Sequence, residues 1–161
     1  MPVFISHRTA DDTIAQNVAW RLKSLHEIQC YVDNFDREAD AARSTRNITS
    51  LILRRLDMCT HLLAIVTRNT EGSWWVPFEI GVARKAPRAI ATLTNLGLGL
   101  PQYLEEWPVL RGEDATDKFA AIYKRHRIDA RRTLLEKVAS VADQDRLVGS
   151  FHTELKRALA Q

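Results

Sequence analysis

The stretch SWWVPFEIG, Ser73 to Gly81, contains the residues whose types could do chemistry: one carboxylate, Glu79, among tryptophans and close to a serine. A carboxylate fixed where water is excluded can stabilise positive charge that develops on a bound molecule. Pro77 cannot donate a backbone hydrogen bond, so it is expected in the first turn of a helix with Ser73 as N-cap. Glu79 then stands near the helix start, where the macrodipole favours the ionised form. Trp75, four residues earlier on the same face, removes water and opposes it. Gly81 costs about 1 kcal/mol relative to alanine in a helix interior, which points to a ligand or a strand close to the backbone there. Acids near helix N-termini and aromatic side chains at helix starts are also ordinary structural features. These residues alone leave a functional and a structural glutamate both open.

The elements that must position this stretch alternate between short β-type runs and helical patterns, the signature of a parallel sheet covered by helices on both faces. VFIS (Val3 to Ser6) is a first strand, followed by a helix with Ile14, Val18, Leu22 and Leu25 at helical spacing and Thr9, Asp11 and Asp12 as capping residues. IQCYVD (Ile28 to Asp33) is a second strand. The polar connection that follows is longer than ordinary βα turns and is a candidate site element. A second helix carries Ile48, Leu51, Ile52 and Leu56 on one face, and HLLAIVT (His61 to Thr67) is apolar enough for a central strand. The helix of Glu79 comes next, so its N-terminus is expected at the carboxyl edge of the sheet, where open α/β folds place ligands. RAIATL is a fourth strand, TNLGLGLPQYLEEW a packed loop with one helical turn, and PVLR an edge strand because of Pro108. The remainder is helical and is expected to pack on the same domain. Asp114 and Asp117 read as caps.

The chain has 161 residues, 45% hydrophobic and 27% charged, enough for one substantial core and too few for two ordinary domains. The absence of a basic leader and of any apolar run of membrane-spanning length leads to the expectation of a cytoplasmic protein without a membrane partner. Cys30 and Cys59 read as reduced core thiols. A net charge of +3 is mildly basic. The tract KRHRIDARR lacks interleaved aromatics or a zinc or helix-turn-helix signature, which argues against nucleic acid and for a solvated helix face. His61 lies in a core strand while His26, His126 and His152 are scattered, so no metal site is expected.

VFISHRTADD at the start, YVDNFDRE after the second strand and IVTRNTEGSWWVPFEIG together resemble the Toll/interleukin-1 receptor (TIR) domain. The family pattern SxWxxxE matches Ser73, Trp75 and Glu79, and the polar residue and asparagine that follow the third strand match Thr67 and Asn69. The likeness runs from Val3 to Arg127, which implies a TIR domain over residues 1–127 and a helical extension over 128–161 packed on it. It implies a flavodoxin-like α/β fold with a mostly parallel five-stranded sheet, helices on both faces and extra C-terminal helices.

For chemistry, the resemblance implies cleavage of the nicotinamide-ribose bond of NAD+, a substrate and no cofactor, with Glu79 as the essential residue. Nicotinamide leaves without a general acid, so one carboxylate beside C1′ is enough. Trp75 and Trp74 are expected to offer a flat apolar wall, with Ser73 and Asn69 lining the pocket. Arg8, Arg37 and Arg68 are candidates for the diphosphate, each with a solvated surface charge as the alternative. Phe35 is expected to touch a base, a second protomer or its own domain, and His7 is a site or core-edge residue. Similarity to bacterial anti-phage Thoeris sensors implies a cyclic ADP-ribose-type product read by a separate effector protein, and a homo-oligomer formed through TIR–TIR contacts. Two alternatives stand beside this: a docking module without turnover, and a nucleoside deoxyribosyltransferase-like enzyme, because FEIGVA also resembles that family's nucleophile segment.

Overall fold

The computed structural model describes residues 2–32, 45–135 and 140–161. Five strands form one sheet in the order β2-β1-β3-β4-β5, every pair parallel: β1 (Val3–Ser6), β2 (Cys30–Val32), β3 (His61–Val66), β4 (Ala89–Thr94) and β5 (Val109–Leu110). The helices are α1 (Asp12–His26), α2 (Thr45–Asp57), α3 (Trp75–Lys85), α4 (Glu113–Leu135) and α5 (Val141–Ala158). The alternation of elements indicates such a parallel sheet, and the architecture is the flavodoxin-like one that the resemblance implies. After β1 the chain passes to one neighbour, β2, and then returns to the other side as β3. The topological switch point, with its crevice at the carboxyl ends, therefore lies between β1 and β3.

The two-residue period of the strands divides the core into two layers. Val3, Ile5, Leu63, Ile65, Ala89 and Ala91 face α1, α4 and α5, where they meet Leu22, Phe119, Tyr123, Phe151 and Leu155. Phe4, Leu62, Ala64, Val66 and Ile90 face α2 and α3 and pack on Ile52, Leu56, Val76, Ile80 and Ala83. β3 and β4 are buried along their whole length, which explains their nearly continuous apolar sequences. On α1, Ala15, Val18 and Leu22 are buried, while Leu25, expected on the same apolar face, is 54% exposed. The loop before β5 has the expected helical turn, a 3-10 segment at Gln102–Glu106 that seats Leu104 and leads into buried Trp107.

Several sequence expectations change in the folded chain. Asp117 is not a cap: its carboxylate binds Arg21 at 2.7 and 2.9 Å and His26 at 2.8 Å, which clamps α1 to α4 and holds the acid well below the usual carboxylate range. The position between residues 127 and 128 lies inside the continuous helix α4, and α5 contributes Phe151 and Leu155 to the main core. Lys124, Arg125 and Arg127 are exposed on α4, as a solvated face requires. No helix among the described residues is long and apolar enough to cross a membrane.

Two of the three histidines expected to be scattered, His126 and His152, gather near His61, while His26 stays apart on Asp117. His126 sits 3.1 Å from His61, and its Nε2 lies 3.0 Å from the Leu147 carbonyl. A carbonyl only accepts, so His126 Nε2 donates, while its Nδ1 pairs with His61 Nε2 and His61 Nδ1 lies 2.8 Å from the Thr60 hydroxyl. His152 Nε2 accepts from the Ile90 backbone N–H at 2.9 Å and so ties α5 to β4. Burial pushes His61 far down and His152 to about 4.

A histidine that resists protonation when folded contributes stability above its unfolded value near 6.5, and that contribution is lost as pH falls towards the folded value. The unfolding free energy is therefore expected to drop between pH 6.5 and about 4, with a shallower slope for His152→Gln, when measured by urea denaturation. Gly81 supplies a second test. A side chain there would meet no protein atom within 4 Å, so no strand crowds the backbone. Gly81→Ala is expected to raise stability by roughly 0.5–1 kcal/mol, read from the denaturation midpoint.

Candidate functional site

Ser6 ends β1 in register with Ala64 of β3, on the face that carries Phe4 and looks towards α3. Its side chain is fully buried, and its hydroxyl donates to Oε2 of Glu79, which is also fully buried in the second turn of α3. An ionised carboxylate out of water requires donors of this kind. The helix starts at Trp75, with Trp74 in the N-cap position. Ser73 is therefore one residue outside the expected cap, although its Oγ still accepts from the Val76 N–H at 3.4 Å. Pro77 falls in the first turn, as expected.

A second network fixes the loop that delivers α3. Asp11, 2% exposed, accepts from the Thr67 hydroxyl and from Asn69 Nδ2, both at 2.8 Å. It occupies the N-cap position of α1 but makes no side-chain cap, contrary to the sequence expectation. Thr67 also accepts from the Asn69 N–H, and Thr70 Oγ1 accepts from the Thr67 N–H, which closes a capping box after β3. Arg8 Nη1 donates to the carbonyls of Asn69 and Glu71 at 2.7 and 2.9 Å. One guanidinium thus holds two loop carbonyls, so Arg8 acts as a brace between β1 and the α3 loop.

The remaining sequence-selected residues separate by environment. Trp75 is half-buried against the α3-side core and meets Phe78 edge-on at 6.0 Å between ring centres. Trp74 is 88% exposed. His7 is buried, with Nε2 3.4 Å from Asp12, and burial lowers its pKa, so it is neutral near pH 7. Arg68 is exposed. Phe35 and Arg37 lie outside the described residues.

Among the described residues, two of the clefts at the carboxyl edge border the loop that leads into α3. One of about 460 Å3 lies between α3 and the β4–β5 connection, lined by Ser73, Val76, Pro77, Ile80, Leu100 and Tyr103 among others. The other, of about 500 Å3, includes Asp11, Arg68, Asn69 and Asn95. Ser73, Arg68 and Asn69 therefore reach clefts, while Glu79 has no exposed surface. Sequence reasoning missed Ser6 and the role of Asp11. The signal for Ser6 was available in the alternation of VFIS, which places a polar residue on the face carrying Phe4.

Asp11→Ala removes an acceptor that satisfies two donors at once. The expected outcome is a loss of about 2–3 kcal/mol in urea unfolding, with Asp11→Asn intermediate because an amide keeps one acceptor.

Comparison with known proteins reaches the same place as the geometry. None of the curated proteins compared with the chain matches it. The family model described as TIR domain matches residues 3–135, which include β1, the Asp11–Thr67–Asn69 network and Glu79, and extend past the Arg127 limit read from the motifs. The chain belongs to the TIR domain family.

Proposed function

We propose that the protein cleaves the nicotinamide-ribose bond of NAD+, with Glu79 as the catalytic carboxylate. The observation that carries this reading is the placement of the Glu79 carboxylate in α3, beside the β1–β3 switch point and hydrogen-bonded by Ser6. Nicotinamide in NAD+ is cationic and leaves as a neutral base, taking the C1′–N electron pair. Positive charge then spreads over C1′ and the ring oxygen of the ribose. A carboxylate held next to that centre lowers the barrier electrostatically, the more strongly because water is excluded. Attack by water gives ADP-ribose and releases one proton. Attack by the adenine of the same molecule gives a cyclic isomer.

We favour the cyclic product, made in the cytoplasm as an anti-phage signal for a separate effector protein. A carboxylate without exposed surface cannot touch a ribose, so turnover requires an opening around α3. We assign that opening to assembly of several copies through TIR–TIR contacts. Trp75, Ser73 and Asn69 then line the substrate's path, with Arg68 left exposed for the diphosphate. A non-catalytic TIR signalling scaffold is the second reading, and the complete burial of Glu79 is the observation that favours it.

Glu79→Gln keeps the shape and removes the charge. The expected outcome is loss of nicotinamide release by at least about a hundredfold, followed by chromatography, with the melting transition retained. Near wild-type turnover by the folded variant would remove Glu79 from the chemistry. Specific activity is also expected to rise with protein concentration. A constant value down to dilute monomer would show that the site is complete within one chain.

A further inference from the structure

We infer that Ser6 is a positioning residue for the Glu79 carboxylate, so that the end of β1 sets the direction from which the acid meets its substrate. This rests on the reading of Glu79 as the NAD+-cleaving acid, but its physical basis is independent of the substrate. Ser6 is the last residue of an internal strand and pairs with Ala64 of β3, so its backbone is held by the sheet. The pleat turns its side chain to the α3 face, and its register partner on β3 is Ala64, whose methyl leaves room beside it for a side chain from the helix. Glu79 comes to this face from α3, and the one proton of the Ser6 hydroxyl goes to its Oε2. A carboxylate on a flexible two-methylene stem has several rotamers, and this donor selects the one that points to the end of β1.

The same strand end controls the helix as a body. Two residues beyond Ser6, Arg8 binds the Asn69 and Glu71 carbonyls of the loop leading into α3. β1 therefore grips the loop through Arg8 and the carboxylate through Ser6. A one-residue slip of β1 would turn Ser6 to the opposite face and leave Glu79 without this donor. Preorganisation of this kind acts on the transition state more than on binding, because the carboxylate's work begins when charge appears on the ribose.

The experiment measures kcat and KM for nicotinamide release by wild type, Ser6→Ala, Ser6→Cys and Ser6→Thr, together with a urea-unfolding cycle of Ser6→Ala and Glu79→Gln. Ser6→Ala is expected to lower kcat at least about tenfold with KM within about threefold. Ser6→Cys, which keeps the shape and weakens the donor, should behave alike and covers the case in which alanine disturbs folding. Ser6→Thr should recover part of kcat. In the unfolding cycle, Ser6→Ala should shift the midpoint less in the Glu79→Gln background than in wild type. Unchanged kcat in a folded Ser6→Ala, a loss confined to KM, or additive midpoint shifts would overturn the inference. Absence of nicotinamide release by wild type would instead overturn the NAD+ reading, and the unfolding cycle alone would then decide whether Ser6 orients Glu79.

Discussion

The fold around the site depends on one hydrogen bond between elements far apart in sequence, from the Ser6 hydroxyl to the Glu79 carboxylate. Burying an ionised carboxylate without donors costs several kcal/mol, so the contact is a condition for α3 to pack as it does. It requires the β1–β3 register that pairs Ser6 with Ala64, and it requires α3 to present Glu79 on the same face as Val76, Ile80 and Ala83. Both requirements are met by apolar periodicity: two residues in the strand, and three to four in the helix. The polar pair is thus held by the hydrophobic layer that surrounds it.

Around this pair, the polar groups of the switch point are paired to one another more than to solvent. Asp11, Thr67 and Asn69 form one closed set, and Arg8 joins the backbone of the same loop to β1. Networks of this kind are costly when one member is lost and rigid when all are satisfied. The result is an acid with a fixed position and no exposed surface, close to clefts on the carboxyl edge. For an electrostatic catalyst this division makes physical sense, because a preoriented charge in a dry setting works without reorganising water, provided that an opening admits the substrate. The opposite end of the sheet has a different character, with the hydrogen-bonded chain of Thr60, His61 and His126 and the His152–Ile90 contact packed among Phe119, Tyr123 and Phe151.

Much of the architecture was legible in the sequence because local chemistry and tertiary role coincided. HLLAIV is apolar throughout and is a buried central strand, and Pro77 marks the first turn of α3. The SxWxxxE spacing led to Glu79, and its place at the carboxyl edge followed from the order of elements. Illegible were the pairings that bring distant residues together. Asp11 and Asp117 carry the local signature of helix caps, yet Asp11 turns to Thr67 and Asn69, and Asp117 to Arg21 and His26. Arg8 looked like a free cation because nothing nearby in sequence reveals that two loop carbonyls stand within its reach. Gly81 suggested a close neighbour and faces open space. His126 and His152 are far from His61 in sequence and join it only when α4 and α5 fold back on the sheet.

The central claim is that this buried, oriented carboxylate breaks an N-glycosidic bond when the protein is assembled. The most direct measurement is proton NMR of NAD+ incubated with the purified, concentrated protein, which follows the nicotinamide ring and the anomeric proton of its ribose together. Free nicotinamide is expected to grow in at the rate at which the anomeric signal of NAD+ disappears. NAD+ that stays intact at the highest protein concentration, in a sample whose own spectrum shows a folded chain, would contradict it.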